Sequence, residues 1–166
     1  MSKVRATAVS WPNKPMPQGA KVLEIDGAYS REEYVTISQG VIPQSAKDKW
    51  FIYLEGEWLY FHRSASGSCI FMLKLEAKED HYAAPTLLVN NDPQQYNSTN
   101  DEYNVDLVAY LIDTLLLGRF APFPQMKGYS QENQQRHQKH VMGDNRKQIQ
   151  LRMINGRSSE PPTPEN

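Results

Sequence analysis

The sequence predicts an α+β domain, in which an antiparallel sheet of three to five strands carries one long helix packed on one face. The first observation is a run rich in aromatic and β-branched residues from 49 to 75, which two turn signals divide into a three-stranded meander. The second is residues 101–118, in which valine, isoleucine and leucine recur at three-and-four spacing. Because so wide an apolar stripe requires burial, we expect this helix to cover the sheet.

Shorter signals place the flanking elements. Residues 22–25 form an apolar run that predicts a strand, and Asp26 begins a turn signal directly after it. Ser30 and Glu33 have the spacing of a capping box and predict a short helix. Asp101 is expected to cap the long helix.

Charge divides the chain into three parts. Residues 1–21 form an extended, proline-rich basic arm with four cations and no acid, which Trp11 is expected to anchor in a surface groove. Residues 22–126, the predicted core domain, contain 15 acidic and 7 basic side chains. Residues 127–166 form a basic tail, partly helical and then disordered. The basic ends can bind an acidic partner or nucleic acid, or can fold back on the acidic body.

The composition also bears on the cellular compartment. Cys69 is the single cysteine, so an intramolecular disulfide is impossible and a reducing compartment is expected. The sequence contains no apolar run long enough to span a membrane and no secretory signal at its start. We therefore expect a cytoplasmic protein that does not associate with membranes.

The loop after the second meander strand is the first candidate binding site. It combines the guanidinium of Arg63 with the hydroxyls of Ser64 and Ser66 and with Gly67, and His62 lies beside it. These groups suit a phosphate or carboxylate, because arginine binds such anions through two hydrogen bonds while hydroxyls and loop amides donate others. Serine and glycine are also what a hairpin turn selects, so the same residues can have a purely structural role.

A second candidate is the long polar segment from residue 90 to 104. Asn90 and Asp92 provide amide and carboxylate groups, and Tyr96 is one of several tyrosines along the segment. Tyrosine, asparagine and aspartate together are typical of protein-binding surfaces as well as of nucleotide pockets. These three residues complete the predicted ligand-binding set.

No catalytic residue is assigned. His62 could activate Ser64 or Ser66, with Asp92 or Asp101 orienting the imidazole, but the chain lacks the Gly-x-Ser-x-Gly nucleophile elbow.

Two further histidines, His137 and His140, are three positions apart and could face one way on a helix. Their neighbours are glutamine, lysine and arginine, which favour a solvated helix face over a metal site. No metal or cofactor is predicted.

Several segments resemble a small uncharacterised bacterial domain that occurs alone or joined to ADP-ribosylglycohydrolases. The similarity involves residues 49–53, 58–67, 89–96 and 113–117, and it spans about residues 45–120. What the resemblance implies is an accessory or specificity role in ADP-ribose chemistry and bacterial conflict systems. It does not imply hydrolase activity, because the chain lacks the acidic metal-binding motif of the glycohydrolases.

The sequence thus predicts a non-catalytic binding or accessory module that recognises a partner protein or an ADP-ribose-like nucleotide. Two alternatives remain open. One is a small hydrolase that acts on ADP-ribose-type substrates, and the other is nucleic-acid binding through the basic C-terminal tail.

Overall fold

The structure is a computed structural model that describes residues 4–125 and 130–143. The predicted disordered end of the tail, and any nucleic-acid binding by that end, lie outside the described residues. No helix in these two ranges is long and apolar enough to cross a membrane.

One antiparallel sheet forms the centre of the fold. Its main path has the strand order β1-β6-β4-β3-β2, and β5 pairs with β6 beside this path. The strands are β1 (Lys21–Tyr29), β2 (Trp50–Glu55), β3 (Trp58–Arg63), β4 (Cys69–Lys74), β5 (Glu76–Ala77) and β6 (Tyr82–Val89). The sheet therefore has six strands rather than three to five, the additional strand being the two-residue β5.

Three α-helices accompany the sheet: α1 (Arg31–Ile37), α2 (Asp101–Leu111) and α3 (Gln131–Met142). The last turns of the predicted long helix are π-helical, from Ile112 to Leu116, where the Leu117 amide donates to the Ile112 carbonyl at 2.9 Å. The α+β class is confirmed, and the long helix is one of three rather than the only one.

The three-stranded meander is confirmed. A two-residue turn with Gly56 at φ +62° joins β2 to β3, and it pairs Tyr53 with Tyr60 and Ile52 with Phe61. Since successive side chains alternate between faces, Ile52 and Phe61 lie in the main core, whereas Tyr53 and Tyr60 lie on the opposite face.

The turn predicted at Asp26 is not present in the structure. Asp26 does not begin a turn, because it lies inside β1 at a register shift between Glu24 and Gly27. A Cβ added at Gly27 would lie 3.0 Å from the Cβ of Ala84, so this glycine allows β6 to approach closely. Strand β1 also pairs with β6 and not directly with the meander.

The predicted N-terminal cap is confirmed for α1 and is wrong for α2. The capping box of α1 is present, since the Ser30 hydroxyl accepts from the Glu33 amide and the Glu33 carboxylate accepts from the Ser30 amide. Helix α2 is capped by Asn100 rather than Asp101. The Asp101 carboxylate instead pairs with Lys21 at 2.8 Å, which ties α2 to β1.

The main core lies between one face of the sheet and the helices. Leu107 and Leu111 of α2 are fully buried there together with Phe61 and Leu73. Helix α3 contributes Val141 and Met142, which are also buried. The helical part of the basic tail is thus packed onto the core domain.

The opposite face of the sheet holds a smaller core, which the N-terminal arm covers. Ala6 is buried with Phe51 and Tyr53, and Trp11 packs against the same cluster. The Trp11 indole N–H donates to the Ser64 carbonyl at 2.9 Å, so the prediction that Trp11 anchors the arm is confirmed.

Candidate functional site

A cleft of about 540 Å³ opens between the loop after β6, the first turns of α2, and α3. Trp50 and Arg63 form its floor, and Tyr96, Tyr103 and His137 of α3 also line it. Tyr103 and His137 contact each other, with ring centroids 5.4 Å apart. The volume falls within the roughly 300–1,000 Å³ of small-molecule sites. The cleft is therefore the candidate functional site.

The floor of the cleft is a pair of neighbouring side chains. Trp50 and Arg63 are directly opposed on β2 and β3, and the guanidinium carbon lies 5.0 Å from the centroid of the Trp50 ring. At this distance the cation interacts favourably with the aromatic face. Burial lowers the pKa of Arg63 below its ordinary value, although a guanidinium stays charged in proteins.

Both floor residues also hold the C-terminal end of α3. Arg63 donates from Nη1 to the Val141 carbonyl at 3.0 Å and from Nη2 to the His140 carbonyl at 3.2 Å. The Trp50 indole N–H donates to the same Val141 carbonyl at 3.0 Å. These bonds satisfy carbonyls that have no partner within the helix, and the positive charge complements the helix dipole. Arg63 therefore has a structural role that the sequence analysis missed.

The loop that forms one side of the cleft is held by Asn90, which is 2% exposed. Its Nδ2 donates to the Cys69 carbonyl and to Oε1 of Gln95, both at 2.8 Å, and its Oδ1 accepts from the Asp92 amide at 2.8 Å. Asp92 in turn accepts from the Gln94 amide at 2.9 Å. Asn90 and Asp92, predicted as ligand contacts, thus set the loop's conformation in this structure.

The aromatic side of the cleft is fixed by hydrogen bonds at its polar ends. The Tyr96 hydroxyl donates to Oδ1 of Asn104 at 2.6 Å, and its ring meets Phe71 edge-on with the centroids 5.6 Å apart. Burial raises the pKa of Tyr96 to about 12, so it is neutral near neutral pH. The Tyr103 hydroxyl is hydrogen-bonded to Nε2 of His137. Tyr96, predicted as a ligand contact, therefore lines the cleft, and its hydroxyl is engaged with Asn104.

Helix α3 also lines the cleft. His137 is half-buried between Tyr103 and Phe123, with ring centroids 5.4 and 5.7 Å away, so its predicted place on a solvated face is wrong. Burial lowers the pKa of both His137 and His140, and the nearby charge of Arg63 adds to this effect. Within the two described ranges, no group of three or more histidine, cysteine or acidic side chains could hold a metal ion.

The loop after β3 lies against the N-terminal arm, where Ser64, Ser66 and Gly67 line a separate pocket of about 390 Å³, whereas Arg63 lines the cleft. The Ser64 hydroxyl donates to the Asp48 carbonyl at 2.6 Å, and the Ser66 hydroxyl accepts from the Ser68 amide at 3.1 Å. A Cβ added at Gly67 would lie 3.1 Å from the Cα of Asn13, and φ there is +77°. The glycine thus allows the close approach of the arm.

His62 is sealed inside the smaller core at 1% exposure. Its Nδ1 lies 2.9 Å from the Gly67 carbonyl and must carry the proton, because a carbonyl oxygen only accepts. Within the described chain its Nε2 has no hydrogen-bond partner. Since Ser64 and Ser66 bond elsewhere, the histidine–serine pair that a hydrolase would need is not formed.

Comparisons with protein-family models, with curated proteins and with solved structures found no match to this chain.

Proposed function

We propose that this protein is a non-catalytic binding module that holds an ADP-ribose-like nucleotide in the cleft above Trp50 and Arg63. The observation that supports this most directly is the combination of fixed aromatic walls with a half-buried cation at the floor. Aromatic side chains provide flat surfaces on which a base can stack, and arginine provides donors to ribose or phosphate oxygens. The two bonds to α3 use two of the five N–H groups that a guanidinium carries.

The rim of the cleft adds donors and acceptors for the polar edge of a base. Gln94 and Asn97 are exposed side chains of the loop and line the opening. Carboxamides both donate and accept, so they match the mixed pattern on a nucleobase. A peptide backbone has a similar mixed pattern, which is why a partner protein is the second candidate for the same rim.

The non-catalytic part of the proposal rests on how the titratable groups of the cleft are engaged. His137 already contacts the Tyr103 hydroxyl, and Tyr96 is bonded to Asn104. These two titratable groups thus help to hold the wall of the cleft. An accessory role in bacterial ADP-ribosylation, inside the cytoplasm, completes the proposal and derives from the resemblance and from the single unpaired cysteine.

Calorimetric titration of the full chain with ADP-ribose, NAD and adenosine tests the proposal. We expect ADP-ribose to bind and Asn97→Trp, which places an indole at the opening, to abolish binding. Asn91→Trp is the matched control, because Asn91 is an exposed residue of the same loop that does not line the cleft. Absence of binding by all three compounds, or equal binding to both variants, would overturn the proposal.

A further inference from the structure

A second pocket, of about 410 Å³, shares His140 with the cleft as a lining residue. One wall comes from the segment before β2 through Lys47 and Lys49, and the other comes from α3 through Arg136 and Lys139. The fold thus gathers four cationic side chains at one opening. We call it the basic pocket.

Among the cations of the basic pocket, Arg136 has a carboxylate partner on its own helix. Arg136 pairs with Glu132 one turn earlier on α3, with a distance of 3.0 Å. Asp48 stands between the two lysines in sequence, but its carboxylate accepts from the Gln44 amide at 2.8 Å. No carboxylate is among the described residues that line the pocket. Lys47 and Lys49 belong to the acidic core domain, and Arg136 and Lys139 belong to the basic tail that packs onto it.

The two walls of the basic pocket are held together by a close backbone approach. Gly143 follows α3 with φ +56°, and a Cβ added there would lie 2.5 Å from the Lys47 carbonyl oxygen and 3.0 Å from Cγ of Lys49. Only glycine permits both this conformation and this contact. The lysines and α3 therefore keep a defined relative position.

The end of α3 would repel an anion if its carbonyls were uncompensated, because the C-terminal end of a helix carries partial negative charge. Here the His140 and Val141 carbonyls accept from Arg63 and Trp50. The guanidinium brings its own positive charge to the same end. Burial lowers the pKa of His140, and the positive charges of Arg63 and Lys49 lower it further.

We infer that the basic pocket takes the diphosphate group of the nucleotide whose base lies in the cleft, an inference that rests on the proposed function. Lysine and arginine bind phosphate oxygens through charge-assisted hydrogen bonds. The shared His140 makes the two cavities neighbours, so one ligand can occupy both. The ligand is then a nucleoside diphosphate or its sugar ester, not a nucleoside.

Titration of the full chain with adenosine, ADP-ribose and inorganic pyrophosphate tests this assignment. We compare Lys49→Gln/Lys139→Gln with the control Lys14→Gln/Lys78→Gln, which removes the same charge from exposed lysines outside the pocket. The pocket variant is expected to lose at least tenfold in affinity for ADP-ribose and pyrophosphate at low salt, and the control is expected to lose little. Adenosine affinity should be the same in both, and unchanged melting temperatures would show that both are folded.

The outcomes separate the two proposals. If ADP-ribose binds but both double variants lose affinity equally, the diphosphate assignment is overturned and the proposed function stands. If pyrophosphate binds only to the chain with an intact basic pocket while no nucleotide binds, the proposed function is overturned and the anion site stands. If pyrophosphate does not bind and ADP-ribose binds all variants alike, the inference is overturned.

Discussion

Arg63 and Trp50 face each other across β2 and β3, and both donate to one oxygen, the carbonyl of Val141. The pair is the floor of the cleft and also the attachment of α3. The proposed binding and the attachment of α3 therefore depend on the same two side chains, which makes them the first target for mutation.

Arg63→Ala should lower the free energy of unfolding by about 2–4 kcal/mol, because two bonds from a charged donor are lost at a partly buried helix end. Hydrogen exchange should accelerate in α3 before it does in the sheet, and urea unfolding measures the total. Arg136→Ala on the same helix is the control, since its exposed pair with Glu132 contributes within about 0.5 kcal/mol. Equal losses in the two variants would contradict the role given to Arg63.

Asn90→Ala should cost about 2–3 kcal/mol, because three hydrogen bonds are lost and the Cys69 carbonyl is left buried without that partner. We expect faster hydrogen exchange in residues 91–98 and weaker binding in the cleft. Asn91→Ala, at an exposed neighbour, should leave both unchanged. A loop that exchanges at the parent rate in Asn90→Ala would show that Asn90 does not hold it.

Trp11→Ala should cost about 2–3 kcal/mol, because the indole covers the smaller core and bonds to the Ser64 carbonyl. Chemical unfolding measures the change. Val9→Ala on the same arm is the control. Its free energy of unfolding should stay within about 0.5 kcal/mol of the parent's, because Val9 is 93% exposed. The same reasoning means that deleting the arm removes part of the fold, so partner binding by the arm has to be tested with point variants. A parent-like Trp11→Ala would show that the arm is dispensable.

Stability should decline as pH falls from 7.5 to 5.5. Burial lowers the pKa of His62, His137 and His140 in the folded chain, so the unfolded chain takes up protons first as pH passes about 6.5. The stabilisation is complete above that pH and is lost below it. Urea unfolding at several pH values measures the slope, which His62→Gln should reduce. A slope of opposite sign, or one unchanged in His62→Gln, would contradict this account.

The sheet could be predicted because its signals are local. The turn at Gly56 joins two strands of alternating pattern, and counting back from it places Trp50 opposite Arg63. The hydrogen-bond partner of the Arg63 guanidinium could not be predicted in this way. Its partner Val141 is 78 positions away, and nothing in the sequence near either residue marks the contact.

The loop after β3 shows why composition alone does not identify what a loop contacts. Small hydroxyl residues and a glycine fit a bound anion, but they equally fit another segment of the same chain. Gly67 is approached by Asn13 of the arm, and its carbonyl accepts from the Lys14 amide at 2.8 Å.

The basic pocket could not be predicted, because its residues are far apart in the sequence. Lys49 lies in the acidic core domain and Lys139 lies in the basic tail, and only the tertiary fold brings them together.

Arg63 and Ser64 are consecutive residues, yet one fastens α3 and the other receives the indole of Trp11. The N-terminal arm and α3 thus each have an attachment at one of two adjacent residues, at the end of β3. A substitution that shifts the backbone of this residue pair is therefore expected to loosen both segments together.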